Sequence, residues 1–118
     1  MTEIKDRYFL QVFDRAAIKT LSDLGESAQV SILFHMQKIL GAQVRDLMND
    51  PLKFAKALEQ MFSIGSTVLE DKIIASMCYD IGVPLVDSSG SFDQKIILVY
   101  SSFLDRKKRT LLHQETYA

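Results

Sequence analysis

His35 and Cys78 are the side chains of this 118-residue chain with types suited to proton, metal or nucleophilic chemistry inside an ordered element. His35 lies in the stretch LGESAQVSILFHMQKILG. A working imidazole needs a carboxylate to orient it, a nucleophile to activate, or further metal ligands. At helical spacing its polar neighbours are Ser31 and Lys38, and the second histidine, His113, is far away in sequence. His35 therefore reads as a polar edge residue, with a small-ligand pocket beside it as the alternative. Cys78 shares an apolar stripe with Ile74 and Ile81 and reads as a small core residue. Glu70, Asp71 and Asp105 form no recognisable acid–base pair, and the chain holds no HExxH, CxxC or calcium-loop pattern. No catalytic residue, metal or cofactor is expected, and no enzyme.

Two stretches carry chemistry suited to anions. In SIGST, Gly65, Ser66 and Thr67 open a helix whose free amides would take a phosphate or carboxylate. A phosphate loop would add a second spaced glycine and a lysine, so a tight corner between helices is the plainer reading. In DRKKR, Arg106, Lys107, Lys108 and Arg109 form the one dense basic cluster and a candidate contact for nucleic acid or another anion. Four consecutive cations wrap around a helix rather than forming one face. A solvated helix end near the negative pole of the dipole is the stronger reading.

The composition sets the frame for these residues. Hydrophobic residues make up 47% and charged residues 25%, the balance of a globular protein, and the length fits a single domain over 1–118. A net charge of -1 gives no bulk attraction to nucleic acid or an acidic membrane. One cysteine permits no intrachain disulfide. MTEIKDRYFL lacks the apolar core of a signal peptide, and runs such as IILVY are too short to span a bilayer. A cytoplasmic location is expected.

Helical periodicity then supplies the elements. Ile4, Tyr8, Val12 and Ala16, with Phe9, Phe13 and Ala17 beside them, mark one face of a first helix. Gly25 is expected to cap its C-terminus. The stretch 26–40 is apolar on most sides, which predicts a second helix at the centre of the fold, ended by Gly41. Asp50-Pro51 is a helix start, and Phe54, Ala57, Leu58, Met61 and Phe62 give that third helix its buried face. Thr67 and Glu70 suggest a capping box for a fourth helix. Gly82, Pro84 and Gly90 make 82–91 a loop, and Ser91 with Gln94 offers a second capping box. In the segment that follows, β-branched residues leave 95–103 open as a strand. The cap, and the shared face of Ile96, Tyr100, Phe103 and Leu104, favour helix. The residues after Arg109 are expected to fray.

The ordered residues Leu24, Gly25, Glu26, His35, Gly41, Pro51, Phe54, Ala57, Leu58, Glu59, Phe62, Gly65, Leu69 and Glu70 resemble a small archaeal family, the Nitrososphaera output domain. The resemblance covers roughly residues 21–81. It implies an all-helical regulatory module and brings no catalytic residue with it.

The expectation is an all-α bundle of about five helices, acting as a cytoplasmic regulatory or signalling output module through protein contact or homodimerisation. Ile96, Tyr100, Phe103 and Leu104 are the expected interface. Accessory nucleic-acid binding through the basic cluster is the alternative, beside small-ligand binding near His35.

Overall fold

A computed structural model describes residues 4–41, 43, 49–62, 66–85 and 90–117. Among these the chain is all-α, with five helices: α1 (Arg7–Ser22), α2 (Glu26–Leu40), α3 (Pro51–Phe62), α4 (Ser66–Ile81) and α5 (Phe92–Tyr117). The segment 95–103 is helical, inside α5. Its β-branched residues bury a helical face here, because packing outweighs their weak intrinsic preference.

Each helix start is set by local chemistry. Asp6 has extended backbone and accepts the Phe9 N–H at 3.0 Å, which makes it the N-cap of α1. Asp50 accepts the Lys53 N–H at 3.1 Å, so the expected Asp-Pro start of α3 holds. At α5 the Gln94 side chain accepts the Ser91 N–H at 3.0 Å, giving one half of the expected capping box; the Ser91 hydroxyl instead meets Asp93. At α4 the helix already includes Ser66, so Thr67 lies inside its first turn rather than before it.

The glycines at the turns differ in role. Gly41 has φ 62° and closes α2 by donating its N–H to the Gln37 carbonyl at 2.8 Å, as a left-handed C-cap should. Gly25 does not cap α1. That helix ends at Asp23 in right-handed conformation, and Gly25, at φ 105°, stands before α2 as its N-cap. The positive φ anticipated for Gly25 is present; the helix it serves is the following one.

The core forms where α1, α4 and α5 meet and where α3 closes the bundle. Phe9, Phe13, Phe54, Phe92, Met77 and Ile96 are among its fully buried side chains. Phe13 meets Phe54 edge-on at 5.3 Å between centroids, an arrangement the ring quadrupoles favour. The second helix is not at the centre. It packs against α1 and α3 and buries only Ile32 and Met36, while Val30, Phe34 and Ile39 face outward. Counting apolar residues around α2 overestimated its neighbours, because part of that surface has no covering helix within the chain.

Candidate interaction surface

The outer face of α2 is built on a single helical row. Glu26, Val30, Phe34 and Lys38 follow one another at intervals of four residues, which aligns them as a ridge. All four are exposed, Val30 at 62% and Phe34 at 51%. The Lys38 ammonium lies 4.8 Å from the centre of the Phe34 ring, a cation–π contact that holds the lysine stem along the ridge. Leu24, before the helix, and Ile39, on another side of it, are also exposed. The row is therefore acidic at its N-terminal end, apolar in the middle and basic at its C-terminal end.

His35 is exposed on this face, with its ring 5.9 Å from that of Phe34. It lines neither the cleft beside Ile4, Asn49 and Lys56 nor the cleft beside Gly82, Ser102 and Arg109. Among the described residues no group of three or more histidine, cysteine, aspartate or glutamate side chains is placed to hold a metal ion. Cys78 is buried on the apolar face of α4. Asp71 pairs with Lys95 at 3.2 Å, Asp105 borders a different cleft, and Glu70 is buried in α4. Of the helix-start candidates, Thr67 is exposed, the side chain of Ser66 is not described, and Gly65 lies outside the described residues.

The expected interface on α5 is corrected by the packing. Ile96 and Phe103 are buried in the chain's own core. Phe9 of α1 meets Tyr100 and Phe103 with tilted rings, at 4.8 Å and 5.6 Å between centroids, so this face of α5 is already covered by α1. Leu104 alone of the four is exposed. Ile96, Tyr100 and Phe103 share a helical face that turns inward, and Leu104 lies at its exposed edge.

The basic cluster divides in two. The Arg106 guanidinium donates to the Gly82 carbonyl, and the Lys107 ammonium donates to Asp6 at 2.8 Å. Lys108 and Arg109 are exposed. Arg106 and Arg109 border a cleft of about 220 Å³ with Gly82, Pro84, Ser102 and Asp105. Half of the run thus holds the C-terminal helix to the rest of the fold, which disperses the charge an extended phosphate backbone would require. Among the described residues no helix is long and apolar enough to cross a membrane.

No family model, curated protein or solved structure matches the chain.

Proposed function

We propose that the chain is a non-catalytic interaction module of the cytoplasm that works as a symmetric homodimer through the outer ridge of α2. The observation that carries this reading is the polarity of the Glu26–Val30–Phe34–Lys38 row. A two-fold axis at its middle runs two copies of the row antiparallel. Glu26 of each copy then meets Lys38 of the other, and Val30 meets Phe34. The surface is self-complementary, as an isologous contact requires. Ridges of residues four apart also interdigitate in the commonest class of helix packing. The apolar centre supplies affinity, and the charged ends fix the antiparallel direction.

The resemblance of residues 21–81 to the Nitrososphaera output domain supports a regulatory role for such a dimer. It rests on the order of residues alone. Signals would reach the module as changes in its self-association.

Light scattering on the purified full chain tests the dimer. The wild type is expected at twice the monomer mass, and Phe34→Asp at the monomer mass with its helical circular dichroism intact. Because Phe34 is half exposed, the substitution is expected to change monomer stability by no more than about 0.5 kcal/mol. A wild type that is monomeric at high concentration, or a Phe34→Asp variant that stays dimeric, contradicts the proposal.

A further inference from the structure

We draw no further inference here: the strongest candidate, the exposed surface patch that Val68, Ala75 and Tyr79 form along the outer face of α4, carries nothing because nothing in the structure shows what covers it.

Discussion

Asp6 performs two tasks with one carboxylate. One oxygen caps α1 through the Phe9 N–H, and the other accepts the Lys107 ammonium, joining residues 101 positions apart. Burial pushes this carboxyl up, but the hydrogen bonds from Lys107 and the Phe9 amide outweigh it and hold the group below its ordinary value of 3.8. The same contact raises Lys107 above 10.5, mainly through its hydrogen bond to Asp6. The signs follow from linkage. A carboxyl lowered by folding contributes stability that is fully present above 3.8 and is lost as pH falls through its lower folded value. A lysine raised by folding contributes below 10.5 and loses that contribution as pH rises through its higher folded value. Asp6→Asn keeps a capping oxygen and removes the charge, whereas Asp6→Ala removes both. Urea unfolding at neutral pH is expected to cost Asp6→Ala about 1–2 kcal/mol. Asp6→Asn should lose only a few tenths, since Lys107 is half exposed and its pairing is screened. The difference between wild type and Asp6→Asn should be flat through the neutral range and close at both the acidic and the alkaline end.

Some helix boundaries are legible because the capping group is near in sequence, although the Asp6 cap of α1 is near and unread and Gly25 serves α2 rather than α1. Asp50-Pro51, Ser91 with Gln94, and Gly41 could all be read because each partner lies within four residues. The start of α5 also has a cap that no local pattern reveals. Glu59, on α3, accepts the Phe92 N–H at 3.1 Å across 33 positions. Its carboxylate also lies at the positive end of the α5 dipole. Glu59→Ala is expected to lower stability by about 1–2 kcal/mol and Glu59→Gln by less, because the amide oxygen can still accept. Hydrogen exchange would show the loss first at the amides of the initial turn of α5. The apolar faces of α1, α3 and α5 were equally readable from their spacing. What spacing does not contain is the identity of the neighbour. The face of Ile96, Tyr100 and Phe103 was assigned to a second molecule, yet Phe9 of α1 lies against it. Val30 and Phe34 were assigned to a central helix, yet they remain outside.

At the scale of the whole molecule, α1, α3, α4 and α5 each send apolar side chains into the shared core, and α2 leaves a polarised ridge outside. The homodimer proposed for that ridge makes a demand that general stickiness does not. Reversing one charge should oppose the contact twice, once at each end of the two-fold interface. A Glu26→Lys dimer sets two lysines together at both ends, and a Lys38→Glu dimer sets two glutamates together. Mixing the two variants pairs lysine with glutamate at both ends again. The deciding measurement is sedimentation of Glu26→Lys, Lys38→Glu and their equimolar mixture beside the wild type. Each variant alone is expected to self-associate about three- to tenfold more weakly, in line with like-charge pairs at exposed helix positions. The mixture should recover the wild-type affinity as a heterodimer. Variants that associate as the wild type does, or a mixture no tighter than its parts, would contradict an antiparallel dimer built on Glu26, Val30, Phe34 and Lys38.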